Sequence, residues 1–251
     1  MLTCAYINTG AGFMVRSVVR LSIKCSIGSM KESIKSLFAA IRHPRLLLCL
    51  LRDYFGLARQ QRLKPIVDQD SLKEFIQTRS SYVAQVSLYG YLRTRAGMRY
   101  PELFDSDTFV VSINIAKWQI WLACVSDLSV YLGGLLMQNE NADEKNVAQL
   151  IQNVVIEIFT ETGIPDDAGD KFTEGVERVR QRFAMLDWQS ITDDEGPFTH
   201  SPQALLDWAP VIDEFKETDG DIVINSVRFR WNEVRRDCRK ALDAAAVLTP
   251  L

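Results

Sequence analysis

Apolar and polar positions alternate with a helical period along almost the whole chain after Met30. Apolar residues recur at spacings of three and four, which places them on one face of an α-helix, and period-two alternation is scarce. Ser71 and Glu74 form a candidate capping box at the start of the third helix. The predicted helices cover residues 31–42, 45–63, 71–97, 107–137, 143–162 and 170–188, one helix opening at Ser201-Pro202, and one from after Gly220 to 248. We therefore predict an all-α protein, a compact bundle of about seven to eight helices.

The segment 107–137 is predicted to be the central helix of this bundle. Its polar residues lie all around the helical wheel, so no face is plainly exposed to solvent. Lys117 and Asp127 interrupt its apolar sequence, and no stretch of eighteen or more apolar residues in the chain lacks a charge. Because such a segment is a poor membrane span, we expect it to be buried in protein.

Lys117 and Asp127 are candidate members of a ligand site or of a buried polar network. A charge in a core helix requires a partner, and such charges are functional more often than average. The two side chains are about 80° apart on the wheel and cannot pair along the helix. Arg79, in the third helix, is the partner we expect for Asp127. A structural ion pair without further function is the alternative.

The last predicted helix has a heptad seam, a pattern typical of helices that pair in coiled coils. The seam consists of Ile224, Val227, Trp231, Val234, Cys238, Ala241, Ala245 and Leu248. Residues 224–248 are therefore a candidate surface for a homodimer or for a protein partner.

Charge is distributed unevenly along the chain. Residues 1–64 have a net charge of +9 and residues 65–251 of −12, within a formal net charge of −3. In the predicted helix 45–63, Arg45, Arg52 and Arg59 form a stripe opposite leucines and a tyrosine. This face suits an anionic membrane surface, and it also suits the acidic body of the same chain. The sequence pI of about 5.5 disfavours a general nucleic-acid-binding protein.

The first 30 residues are predicted to lie outside the fold. Residues 1–31 contain four Lys and Arg but no acid, with several Ser and Thr. This composition is that of an organelle presequence or of a weakly ordered basic extension. We expect one helical domain at 31–251, located in the cytoplasm or on the inner face of a membrane, or in an organelle matrix if residues 1–30 are a presequence.

The stretch RTRAGMRYPELF is a second candidate site. Its arginines and the nearby tyrosines suit a carboxylate, a phosphate or an aromatic ring, because guanidinium is a planar fork that also stacks. These residues are Arg93, Arg95, Arg99, Tyr89 and Tyr100. Arginines near a helix C-terminus are also ordinary partners of the helix dipole.

Recognisable enzyme signatures are missing from the sequence. It has no GxSxG, HExxH or Gly-rich phosphate loop, and its five cysteines are scattered, so we expect no cofactor and no metal. The acidic loop at 166–170 lacks the alternating ligands of a calcium loop, and we expect 193–195 to be a solvated turn, so neither is a candidate metal site. His200 and Ser201, on a loop with acids nearby, are the one arrangement compatible with a Ser/His/Asp hydrolase.

The chain resembles an uncharacterised helical family of alphaproteobacteria whose members are commonly labelled "esterase". The likeness lies in TRSSYVAQVSLYGYLRTRAGMRYPELF and DSDTFVVSINIAKWQIWLACVSDLSVYLGGLL, and continues through SPQALLDWAP and INSVRFRWNEVRRD. It implies ester hydrolysis but brings no catalytic motif that can be assigned here. LYGYLRTRAGMRYPELF is also similar to helical ubiquinol–cytochrome c assembly chaperones, whose proline- and arginine-containing central motif is missing.

These observations favour a non-enzymatic interaction or assembly factor that works peripherally at the inner face of a membrane. A carboxylic-ester hydrolase, with His200 as base and Ser201 or a more distant serine as nucleophile, is one alternative. A helical scaffold that dimerises through its C-terminal helix is the other.

Overall fold

The computed structural model describes residues 63–139 and 142–249. The α-helices of this part are α1 Gln69–Ala96, α2 Asp107–Met137, α3 Glu144–Thr162, α4 Lys171–Met185, α5 His200–Trp208, α6 Asp213–Ala241 and α7 Ala244–Leu248. Short 3-10 helices lie at Gly97–Arg99, Pro101–Asp105 and Trp188–Ser190. The described residues contain no β-strand, which confirms the predicted all-α bundle.

The compact unit to which these helices belong begins at Leu63. The predicted extension 1–30, the domain start at 31 and the two helices at 31–42 and 45–63 lie outside the described residues. The arginine stripe of Arg45, Arg52 and Arg59 lies outside them as well.

Helix α2 is the centre of the bundle, as predicted, because α1, α3, α4 and α5 all pack against it. By length and composition α2 is the one helix among the described residues that could cross a membrane. In the bundle, however, 83% of its apolar window is buried. Its apolar surface is thus covered by other helices, which is the arrangement of a core helix.

Two adjacent glycines let the segment after α4 cross α2 at close range. A Cβ on Gly133 would lie 2.6 Å from Cε3 of Trp188, and a Cβ on Gly134 would lie 2.9 Å from Cβ of Ile191. Both distances are shorter than carbon atoms tolerate, so side chains at 133 and 134 would push this segment away from the core.

Helix α1 begins earlier than predicted, with Asp68 as its N-cap. The Asp68 carboxylate accepts a hydrogen bond from the Ser71 amide at 2.8 Å, and the Asp68 amide donates to Ser71 Oγ at 3.1 Å. Ser71 is therefore the third helical residue of the capping box rather than its cap, and Glu74 pairs with Lys64 instead.

The last predicted helix differs from the observed one at both ends. Helix α6 begins at Asp213, with Gly220 inside it, and ends at Ala241. At the end of α6, backbone hydrogen bonds to Ile66 replace those of the helix. The Ile66 amide donates to the Ala241 carbonyl at 2.8 Å, and the Asp243 amide donates to the Ile66 carbonyl at 3.0 Å. Asp243 then caps the short helix α7.

The heptad seam on α6 faces the interior of its own chain. Its buried members are Val227, Trp231, Val234, Cys238 and Ala241, all within the hydrophobic core. Since these side chains already pack on the other helices, they cannot form an intermolecular seam. The buried seam is thus an intramolecular contact, whereas a homodimer or a protein partner at 224–248 stays a prediction.

Candidate functional site

The most connected polar site in the described part of the chain surrounds Asp127. This carboxylate, on α2, has no exposed surface. Arg182, on α4, donates from Nη1 to Asp127 Oδ1 at 2.6 Å and to Ser126 Oγ at 2.9 Å. Its Nη2 donates to the Pro197 carbonyl at 2.9 Å, so the guanidinium joins α2 to the loop before α5. A buried charge is thus matched by an opposite charge, as burial requires.

The same carboxylate caps the N-terminus of α5. The Ser201 amide and the Ser201 hydroxyl each donate to Asp127 Oδ2 at 2.7 Å, and the His200 amide donates to Oδ1 at 3.3 Å. Trp231 Nε1, on α6, donates to Ser201 Oγ at 2.9 Å. A carboxylate at a helix N-terminus is favourable because free amides and the helix dipole both point at it. The network therefore ties α2, α4, α5 and α6 together.

Asp127 pairs with Arg182 and not with Arg79, which corrects the predicted partner. Arg79 instead pairs with Asp237 on α6 at 2.8 Å. The sequence did contain a signal for Arg182: it lies seven residues after Gly175, which is buried on the inner face of α4 with Val179. A charge at a position of the apolar stripe indicates a buried partner.

Ser201 and His200 do not have the geometry of a catalytic pair. Ser201 has no exposed surface, and its hydroxyl is directed at Asp127 and Trp231 rather than at the His200 ring. A triad requires the histidine between the serine and the acid. Burial, followed by the nearby Arg182 charge, lowers the pKa of His200. The charged form of the ring is thus disfavoured, and Ser201, beside it at the start of α5, is not placed where the ring could activate it.

Lys117, ten residues before Asp127 on α2, lies in a second polar cluster. Its side chain is 8% exposed, and its Nζ lies 2.9 Å from Asp167 Oδ2. Trp118 Nε1 donates to Asp167 Oδ1 at 2.6 Å. Burial raises the pKa of Asp167, but the hydrogen bonds from Lys117 and Trp118 outweigh it and hold this pKa below its usual range. The predicted need for a partner outside α2 is confirmed for Lys117 and for Asp127.

A third cluster forms around Asp193, in a turn that sequence analysis treats as solvated. Tyr131 donates from its hydroxyl to Asp193 Oδ1 at 2.6 Å, and Arg239 donates to the same oxygen at 2.9 Å. Arg235 donates to the Asp193 carbonyl at 2.7 Å. Burial raises the pKa of Asp193, but the hydrogen bonds from these donors outweigh burial, so the pKa lies below its usual value. Asp193 therefore fastens the turn to α2 and α6.

The arginines of RTRAGMRYPELF do not converge on an open anion site. Arg95 forms an ion pair with Asp219 of α6, which also accepts a hydrogen bond from Tyr91 at 3.1 Å. Arg99 pairs with Glu102 on the surface at 3.0 Å, and Arg93 has no ion-pair partner among the described residues. Tyr100 packs edge-on against Phe104, and burial raises the pKa of both Tyr100 and Tyr89. The anion that Arg95 binds is thus a carboxylate of its own chain.

The remaining candidate chemistry in the described part of the chain is limited. No group of three His, Cys, Asp or Glu side chains there lies close enough to hold a metal ion. Cys124 and Cys238 are free, buried thiols whose pKa values are raised, chiefly by burial. An open cavity of about 690 Å³ lies beside α3 and α4, with Phe159, Phe172 and Arg178 in its wall.

No protein-family model, curated protein or solved structure matches this chain.

Proposed function

We propose that the protein is a non-enzymatic helical interaction or assembly factor that works at an anionic membrane surface. The observation on which the proposal rests is that the polar clusters of the bundle are closed. Asp127, Lys117 and Asp219 each use a partner from the same chain, and Ser201 has no surface that a substrate could reach. Polar groups that are satisfied in this way hold helices together and leave little for substrate chemistry.

The charge distribution supports the membrane part of the proposal. The net charge of +9 in residues 1–64 is large enough to attract anionic lipid headgroups. The remainder, at −12, is repelled by such a surface and would face the aqueous phase or a protein partner. The Arg45, Arg52 and Arg59 stripe is the segment that we assign to lipid contact.

Vesicle flotation of the full chain tests this assignment. We expect the protein to float with vesicles that contain anionic lipid and to stay at the bottom with neutral vesicles. Replacing Arg45, Arg52 and Arg59 together by Gln should abolish flotation. The matched control replaces Lys145, Arg180 and Lys240 by Gln, which removes the same charge from exposed positions of the bundle and should leave flotation unchanged. Equal, negligible flotation with both lipids would end the membrane proposal.

Ester hydrolysis remains the alternative that the resemblance implies. It would require a serine other than Ser201, because this hydroxyl is buried and bound to Asp127. A fluorophosphonate probe, which labels activated serines, discriminates the two functions. We expect no labelling of the folded protein; labelling that heat denaturation abolishes would favour the hydrolase.

A further inference from the structure

The outer face of α6 has an apolar strip that the bundle does not use. Phe215, Ile222 and Phe229 are 41%, 71% and 76% exposed. They are spaced seven residues apart, so they follow one another along the helix with a drift of about 20° per step. The core-facing side of α6 is the opposite one, which contains Val227 and Trp231.

Charged residues make up 14 of the 29 in α6. At spacings of three and four between the three apolar side chains, however, lie the uncharged Thr218, Asn225 and Ser226 and one acid, Asp219, which is buried and paired with Arg95. We call this surface the outer strip; it consists of Phe215, Thr218, Ile222, Asn225, Ser226 and Phe229. Every member is exposed. An uncharged apolar strip on an otherwise charged surface helix is typical of a contact surface.

The two ends of α6 have opposite charges of equal size. Residues 213–221 have a net charge of −4, and residues 228–240 of +4. Ion-pair partners are missing, within the described part of the chain, for three acids of the first half and three arginines of the second. These residues are Glu214, Glu217, Asp221, Arg228, Arg230 and Arg236. The helix therefore complements a reversed copy of itself.

We propose that two copies of this chain dimerise through the outer strip, with their α6 helices antiparallel about a two-fold axis at Ile222. Phe215 of one copy then lies level with Phe229 of the second copy, and Glu214 lies on the same flank of the interface as Arg228 of the second copy. Because a two-fold axis repeats every contact, both ends of the interface are satisfied together. Parallel pairing would instead place like charges side by side.

Part of this surface is already fixed in the single chain. The Arg95 guanidinium lies 4.6 Å from the centroid of the Phe215 ring and is itself held by Asp219. A ring held in place loses less rotational freedom when a partner binds. The proposal concerns the face opposite the heptad seam and is independent of the membrane proposal.

Light scattering of the full chain in lipid-free buffer tests the dimer. We expect a mass of twice 28.5 kDa for the wild type. Ile222→Asp should give the monomer mass, because two carboxylates would face each other at the axis, and Phe229→Asp should act in the same way. The control is Ile156→Asp, at a 44% exposed isoleucine on α3, which should remain dimeric. Because all three side chains are exposed, circular dichroism should show an unchanged helical content.

Disulfide formation tests the orientation. It requires a background in which the three cysteines outside the described residues are replaced by Ser, namely Cys4, Cys25 and Cys49. Ile222→Cys should cross-link to itself on oxidation. Phe229→Cys alone should not cross-link, since antiparallel pairing separates the two copies of position 229 by about 21 Å. A mixture of Phe215→Cys and Phe229→Cys should cross-link, because these two positions lie level with each other.

Three results would overturn the proposal. They are a monomeric wild type, a dimer that survives both aspartate substitutions, and self-cross-linking of Phe229→Cys as efficient as that of the mixture. A monomer whose vesicle binding depends on Ile222 would also overturn it, because the outer strip would then be a lipid contact.

Discussion

Replacing Asp127 by Asn is the sharpest perturbation of the buried network. The substitution keeps the shape of the side chain but removes its charge and turns one acceptor oxygen into a donor. Arg182 Nη1, the Ser201 amide and the Ser201 hydroxyl all donate to this carboxylate within 2.7 Å. In Asp127→Asn at least one of these donors faces the NH2 group of the Asn side chain and loses its hydrogen bond. The Arg182 guanidinium, which is 12% exposed, also loses its counter-charge.

We expect this substitution to lower the free energy of unfolding by about 3–5 kcal/mol, the loss typical of a broken buried ion pair. Urea unfolding followed by circular dichroism measures it. The control is Glu102→Gln, whose partner Arg99 is 84% exposed, and it should change stability by less than about 1 kcal/mol.

A double-mutant cycle separates the ion pair from other effects of the substitution. Arg182→Gln and Asp127→Asn together should cost less than the sum of the single substitutions, because the second change removes a charge that the first left unpaired. A loss below about 1 kcal/mol for Asp127→Asn, or strict additivity, would refute the reasoning.

Two further predictions concern packing and pH. Gly133→Ala should destabilise the fold by about 1–3 kcal/mol, because its methyl group meets the Trp188 ring. Gly220→Ala has open space around it and should stabilise α6 by up to about 1 kcal/mol. Urea midpoints that shift equally in the two variants would contradict these expectations. Because the pKa values of Asp193 and Asp167 are lowered in the folded state, their stabilisation is complete above the unfolded value of about 3.9 and is lost as the pH falls through the folded values. At pH values below about 4, the urea concentration at the unfolding midpoint should accordingly decrease, and it should decrease less steeply in Asp193→Asn than in the wild type. Parallel curves of midpoint against pH for the two proteins would contradict the assignment.

Helical period is sufficient to predict α2 and α3. The N-cap of α2, Ser106, and that of α3, Asp143, are local signals that no tertiary contact overrides. The sequence does not show the start of α6, because its N-cap residue, Ile212, has no side chain that can make a capping hydrogen bond. Gly220 looks like a helix boundary in the sequence but is tolerated inside the helix.

The candidate site could be predicted only in part, because periodicity shows which residues face inward but not which helix lies opposite. The need of Asp127 for a partner was visible in the sequence, but the choice between Arg79 and Arg182 depends on how α1 and α4 pack around α2. The same limit explains Ser201. Its loop resembles a catalytic one locally, and only the position of Trp231 and Asp127 shows that its hydroxyl is buried.

The measurement that tests the proposed function most directly is the affinity of the full chain for anionic vesicles, compared between the wild type and the variant with Arg45, Arg52 and Arg59 replaced by Gln. Each arginine near an anionic surface contributes about 1 kcal/mol, so the three together should change the vesicle partition constant by on the order of 100-fold. Added salt should weaken wild-type binding, because the attraction is screened. Partition constants that are equal for the two proteins and unaffected by salt would contradict the proposal.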